Sequence, residues 1–271
     1  MRGIFLLVML MKKHNEPRLQ KLPKLVKDYI KHLEQVRSDF VANVSHELRT
    51  PLTVIQGYLE TLIKNKYPDK KTLNKIFVQM YQHSVRMGDI IEDLLLLAHL
   101  EGEDHPSDEK NGIIIADILK TIKMDAKNLS GEKKHKITLK ADAHVLMNGS
   151  ESELRSLFSN IIVNAIKYTP HAGRIAIEWG RDKQGCGIFR VSDTGIGIAK
   201  EHLPRLTERF YRVDKARSRE RGGTGLGLAI VKHVIIRHGG QLEIESIPDK
   251  GSTFTCIFPA ERITISPTFS L

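Results

Sequence analysis

The residues with the types and spacing for chemistry begin at His46, in the run Ser45-His46-Glu47-Leu48-Arg49-Thr50-Pro51. Val44 and Leu48 belong to an apolar stripe. His46 lies two residues from each, roughly 200° around a helix that turns ~100° per residue. Its imidazole therefore faces solvent, where the neutral ring can act as a nucleophile near pH 7. Glu47 supplies a carboxylate to accept or orient the ring proton, and Pro51 removes one helical hydrogen bond and tends to bend the helix. Taken alone, the same residues also suit an inert surface histidine on a solvated face.

Three further groups follow. Asn160 and Asn164 stand at i and i+4 on a helix expected from Ser150, with Lys167 beside Asn164 at i+3 and Tyr168 next to it. Asparagine is a mediocre helix former. Two on one face suit a metal held through an amide oxygen with a lysine nearby for phosphate, although a polar helix face accounts for the spacing as well. Asp193-Thr194-Gly195-Ile196-Gly197-Ile198 directly follows an apolar strand. A carboxylate with Gly195 and Gly197 fits a tight loop that lets backbone approach a ligand, and Asp193 could accept from an adenine amino group; many ordinary turns share the pattern. Last, Gly223-Thr224-Gly225-Leu226-Gly227 leads into a helix. Glycine-rich backbone at a helix N-terminus favours anions, yet the run is neither a Walker A loop nor a dinucleotide fingerprint. The basic stretch before it, from Arg212 to Arg221, suits a lid over phosphates or a plain basic loop.

These groups need elements to position them. Leu33, Val36, Phe40, Val44, Leu48, Leu52, Ile55, Leu59 and Leu62 recur in steps of three and four, as on a packed helix. A second stripe runs Leu73, Ile76, Met80, Ser84, Met87, Ile91 and Leu94, and a turn with Pro68 lies between them. Two such helices in a hairpin cannot bury both stripes, so a homodimer forming a four-helix bundle is expected. A polar stretch with Gly102 and Pro106 reads as a linker. Beyond it the pattern is mixed. Helices are expected at about 116–130, 150–168 and 225–238, and strands at 136–140, 174–179, 188–192, 241–247 and 252–258.

Composition narrows the classes. The charge of +10 is spread along the chain without aromatic interleaving, so nucleic acid is not the expected partner. Cys186 and Cys256 have no ligand or disulfide spacing and read as reduced, buried thiols. The apolar run Ile4 to Met11 is far shorter than the ~20 residues that span a bilayer. With its basic flank it is either the end of a missing membrane segment or an apolar terminus, which leaves membrane association open.

In order, these motifs resemble those of the sensor histidine kinases of bacterial two-component systems, over roughly Leu33 to Phe258. Phe40 to Thr53 is similar to the H-box, Asn160 to Pro170 to the N-box, Asp193 to Ile198 to the G1 box, Thr207 to Asp214 to the F-box and Gly223 to Gly227 to the G2 box. The wording around the H-box and from Leu203 to His233 is especially similar to the phosphate-regulon branch. The resemblance implies an α+β chain: a dimeric helical hairpin followed by a Bergerat-type α/β sandwich that binds ATP. Its expected parts are an N-terminal segment and signalling linker at 1–32, the hairpin at 33–100, a linker at 101–112, the ATP-binding domain at 113–262 and a tail at 263–271. It also implies roles. His46 would take the γ-phosphoryl group, Glu47 would be its acid/base partner, and Thr50 would serve dephosphorylation of the partner. Asn164 would hold Mg²⁺, with Asn160, Lys167 and Arg212 at the phosphates, Tyr168 beside the nucleotide, Asp193 at the adenine and the two glycine loops around it. The phosphoryl group would pass to an aspartate of a response regulator. Two alternatives are a Bergerat-fold ATPase of the gyrase, heat-shock or mismatch-repair kind, which leaves His46 without purpose, and a non-catalytic dimeric adaptor. Family members usually carry a sensor ahead of the H-box, and only 45 residues precede His46.

Overall fold

The computed structural model describes residues 23–64, 69–102, 112–214 and 223–266. The run Ile4 to Met11, the turn around Pro68, most of the linker and the basic stretch from Lys215 to Arg221 lie outside these residues.

Helix α1 (Lys24–Lys64) and helix α2 (Lys70–Gly102) form the hairpin. α1 starts nine residues ahead of the expected 33, because residues 24–33 include no glycine or proline to stop it. It runs unbroken through Pro51. The hydroxyls of Ser45, Thr50 and Thr53 each donate to the carbonyl four residues back, so the polar residues of the H-box serve the helix from its surface. α2 begins on Asp69, whose carboxylate accepts the N–H groups of Lys71 at 2.9 Å and Thr72 at 3.0 Å.

The apolar face of α2 keeps Leu73, Ile76, Met80, Met87 and Leu94 of the expected stripe and departs from it at two positions. Ile76, Ile90, Leu97 and Leu100 are buried, whereas Ser84 is exposed and Ile91 is 46% exposed. The cause is a change of partner along the helix. Its last turns pack against the second domain, where Leu97 and Leu100 join the core of that domain.

The second domain is a two-layer sandwich. Strands β2 (Lys136–Ala141), β4 (Arg174–Arg181), β5 (Gly187–Asp193), β7 (Gly251–Phe258) and β6 (Gln241–Ile247) lie in that order. β2 and β4 are parallel and the other pairs antiparallel. Helices α3 (Ile115–Ser130), α4 (Glu151–Tyr168) and α5 (Gly227–Arg237) share one core with Ile175, Ile177, Phe189, Val191, Phe254 and Phe258 of the sheet. The other face carries polar pairs in register, such as Glu178 with Arg190 at 3.6 Å. Alternation of period two makes this one-sided burial.

A second sheet is absent from the sequence reading. β1 (Ile113–Ile114), β3 (Val145–Met147) and β8 (Ile263–Ile265) pair antiparallel in the order β1-β3-β8. Residues 263–265, expected to open a tail, are thus an edge strand that closes the domain. The Trp179 indole pins this sheet to the larger one by donating to the Val145 carbonyl at 3.1 Å.

The ends of three helices meet at one buried knot. Ser150 caps α4, its hydroxyl accepting the Glu153 N–H at 3.5 Å. Glu153 is 4% exposed and accepts from Nε and Nη2 along one edge of the Arg237 guanidinium, at 3.2 and 3.1 Å. Arg237 also donates to the Leu100 carbonyl at 3.3 Å, which satisfies a backbone acceptor near the end of α2.

Candidate functional site

The glycine loops are shaped by contacts that exclude a side chain. Gly197 has φ +65°, and a Cβ there would stand 2.0 Å from the Ile247 carbonyl oxygen. The Asp193 loop is thereby pressed between two elements: the Ile196 N–H donates to the Tyr168 carbonyl at the end of α4, and the Ile196 carbonyl accepts from Asp249 of the β6–β7 hairpin. Asp193 itself, at the end of β5, accepts the Gly195 N–H at 2.7 Å. Burial pushes its carboxyl above the usual carboxylate range, and hydrogen bonds from Gly195 and Ser252 offset part of that.

The second loop sits at the start of α5. Gly225, with φ +76°, turns the chain against Phe210, whose N–H donates to the Gly225 carbonyl at 2.8 Å. Gly227 approaches Asn160 so closely that a Cβ would lie 2.2 Å from the amide oxygen. Asn160 is turned to meet it, its NH₂ donating to the Ser156 carbonyl at 3.0 Å. Thr224 accepts the Leu226 N–H at 3.2 Å. Leu226 is fully buried in the core, so it reaches the loop through its backbone alone.

The hairpin faces this loop. The Thr224 hydroxyl donates to Asp93 of α2 at 2.9 Å. Burial pushes the Asp93 carboxyl up, and the Thr224 bond and Lys167 oppose that shift. Lys167 is pulled down by burial, against the attraction of Asp89 and Asp93. Arg212 has a side chain 5% exposed and donates to Glu47 at 2.9 Å and to the Gly223 carbonyl. Glu47 also accepts from Arg86 of α2 at 3.3 Å. The Phe40 ring packs on Phe210 at 5.9 Å and under Arg209, which pairs with Glu101.

The structure therefore brings Glu47, Lys167, Arg212, Gly223 and Thr224 to one junction between hairpin and sandwich. Asn160, Gly225, Leu226 and Gly227 lie in its wall. Asn164 is half-buried on the same helix as Asn160 and Lys167, with Tyr168 half-buried at its end. Asp193, Gly195 and Gly197 form the neighbouring loop. His46 and Thr50 are exposed beside Glu47, whose carboxylate is engaged by the two arginines. Sequence reasoning missed Arg86, Asp89 and Asp93. Their spacing, i, i+3 and i+7, puts them on one face of α2, which was the available signal.

The site can hold a polyphosphate. Two nitrogens of Arg212, Nε and Nη1, are buried without a hydrogen-bond partner, and phosphate oxygens would satisfy them. A Mg²⁺ ion also fits the donor set. No cluster of three or more His, Cys, Asp or Glu that could cage a metal occurs among the described residues. An ion borne largely by phosphate oxygens and water needs only one or two protein oxygens, and the Asn164 amide offers one.

Residues 36–103 match the His Kinase A (phospho-acceptor) domain, and residues 149–262 match the histidine kinase-, DNA gyrase B- and HSP90-like ATPase family. The chain belongs to the histidine kinases. It is 55% identical over 241 residues to the phosphate regulon sensor protein PhoR of Pseudomonas aeruginosa, covering 88% of this chain and 54% of that protein. Among solved structures it resembles the Acinetobacter baumannii histidine kinase AdeS (25% identity, TM-score 0.61, 79% of this chain and 96% of that one). The fold also matches histidine kinase ThkA in complex with response regulator protein TrrA (20% identity, TM-score 0.65, 89% and 68%). The chain spans about half the length of the curated relatives it matches. Among the described residues, no helix is long and apolar enough to cross a membrane.

Proposed function

We propose that this chain phosphorylates its own His46 with ATP and passes the phosphoryl group to an aspartate of a response regulator, in the phosphate-signalling branch of its family. The observation that carries the reading is Arg212. Its two partnerless buried nitrogens suit phosphate, and its third is tied to Glu47, the neighbour of His46 in sequence. A phosphate-reading cation and the acceptor histidine's acid/base partner are thus in direct contact within one chain.

The placement of these residues supports the following roles. Asp193 accepts from the adenine amino group, and the loops around Gly195, Gly197 and Gly223 to Gly227 give backbone close to the nucleotide. Asn160, Lys167 and Arg212 meet the phosphates, Tyr168 flanks the nucleotide, and Asn164 would hold Mg²⁺, which would supply charge neutralisation. Glu47 takes the imidazole proton as the nitrogen attacks, so the γ-phosphoryl group moves to His46 and ADP leaves. Catalysis of this kind is mostly positioning and charge neutralisation. Thr50 serves dephosphorylation of the regulator. The chain works as a homodimer, and the kinase–regulator pairing of ThkA supports a regulator as its partner.

Incubation with labelled ATP and Mg²⁺ is expected to give acid-labile, alkali-stable label on the protein. His46→Ala should abolish it, and persistence of the label in that variant would refute the assignment. Steady phosphate release without any phosphoprotein would instead support an ATPase of the gyrase or heat-shock kind.

A further inference from the structure

We propose that Arg86 is a positioning residue for the phosphotransfer: from the second helix of the hairpin it holds the Glu47 carboxylate in place when Arg212 turns to a nucleotide phosphate. The inference rests on the reading of Glu47 as the acid/base partner of His46.

Both arginines donate to the same atom, Glu47 Oε2, Arg212 at 2.9 Å and Arg86 at 3.3 Å. They differ in what carries them. Arg212 belongs to the ATP-binding domain, and a polyphosphate bound at its free Nε and Nη1 would draw the guanidinium toward itself and strain the Nη2 bond to Glu47. Arg86 and Glu47 are 39 residues apart in sequence but both on the hairpin, so their contact survives any movement of the other domain. Their side chains are 19% and 17% exposed, so the pair is largely withdrawn from the solvent that screens surface ion pairs.

A glutamate on a helix surface otherwise samples several rotamers, and ordering it costs entropy. If Arg212 were its sole partner, Glu47 would be held only by a guanidinium that the phosphates also recruit, at the moment it has to meet the imidazole proton. Arg86 removes that conflict. It is placed for this by the polar face of α2: Arg86, Asp89 and Asp93 line the junction in successive turns. The two aspartates face Lys167, and Asp93 bonds Thr224.

The test is single-turnover autophosphorylation of the whole chain at saturating ATP and Mg²⁺. It compares Arg86→Gln, Arg86→Lys, Glu47→Gln and the double variant Glu47→Gln/Arg86→Gln. General acid–base groups contribute on the order of 10²–10⁴ in rate; loss of the holder is expected to cost about tenfold, with ATP affinity by calorimetry and melting temperature kept. Arg86→Lys keeps the charge without the planar fork and is expected to fall between wild type and Arg86→Gln. In the Glu47→Gln background, Arg86→Gln should cost nothing further, since residues acting through one another are not additive. A full-rate Arg86→Gln, an equal loss in both backgrounds, or a loss of ATP affinity matching the loss of rate overturns the proposal. If Arg86→Gln melts early, Arg86→Lys takes its place in the cycle, and additivity with Glu47→Gln is again the refuting result. Full activity in Glu47→Gln overturns the acid/base reading and this inference together. A slow Glu47→Gln with a full-rate Arg86→Gln overturns this inference alone.

Discussion

Asp193 carries a cost that its proposed ligand explains. Its carboxyl is raised by burial, so the folded state binds a proton more tightly than the unfolded chain does. The sign follows directly: whatever stability Asp193 adds is present below its unfolded value, near 3.8, and is lost as the pH rises through the higher folded value. At neutral pH the charge is a burden to the fold. Asp193→Asn should therefore melt no earlier than wild type at pH 7. Its nucleotide affinity should fall tenfold or more, as expected for about 1.5–3 kcal/mol per charged hydrogen bond. Calorimetric titration with ATP, beside a thermal melt, separates the two effects. The place of Asp193 at the end of a strand was legible from the apolar run before it. The Asp93 to Thr224 and Glu47 to Arg212 contacts were not, because their partners are 131 and 165 residues apart and no local period records them.

Helices and strands were legible to the extent that they are long. α3 and α4 begin and end within two residues of the sequence reading, since Ser150 is a capping residue followed three positions on by a glutamate. The small sheet escaped because strands of two or three residues are too short to show alternation. The capping pattern itself has been put to another use. Glu153, which in a capping box would reach back to Ser150, pairs with Arg237, and the Ser150 N–H donates to His238 Nε2 at 3.3 Å. Arg237→Ala leaves Glu153 buried without its cation and frees the Leu100 carbonyl, at a cost of about 3–5 kcal/mol, measurable by urea denaturation.

The same knot sets a pH dependence. His238 is fully buried, its Nδ1 bonded to the Val234 carbonyl at 2.8 Å. With Nε2 accepting from Ser150, the ring is neutral, and protonation would set two donors against each other. Burial lowers its pKa, helped by Arg262 and Arg237 and opposed by the Val234 bond and Glu153. A lowered histidine contributes stability that is full above its unfolded value, near 6.5, and lost as the pH falls through the folded value. Denaturant midpoints should therefore drop on going below pH 6.5. His238→Asn should be weaker at pH 8 yet flatter between pH 8 and 5.5; an unchanged slope would count against the role.

At the scale of the whole molecule, the hairpin shows what one chain cannot cover. Leu52 and Leu59 belong to the stripe read as packed, and each is 43% exposed. Ile63 at 80% extends their line on α1, and Phe77 and Tyr81 stand 52% and 71% exposed on α2. The stripe is wider than a single hairpin can bury, because α1 and α2 offer each other one face apiece while the end of α2 is taken by the ATP-binding domain. A second hairpin placed on this band would complete a four-helix bundle. The sequence revealed the stripe but not its division between an inner partner and an outer one, since periodicity reports the width of an apolar face and not what lies on it. Leu59→Glu puts a charge into the middle of the band without touching Glu47, Arg86 or the ATP-binding domain. It should convert dimer to monomer at micromolar concentration in sedimentation experiments. ATP affinity should stay at the wild-type value, because every contact described around the nucleotide loops lies within one chain. A variant that remains dimeric would place the dimer contact elsewhere, and one that loses ATP affinity would show that the partner subunit shapes the nucleotide site.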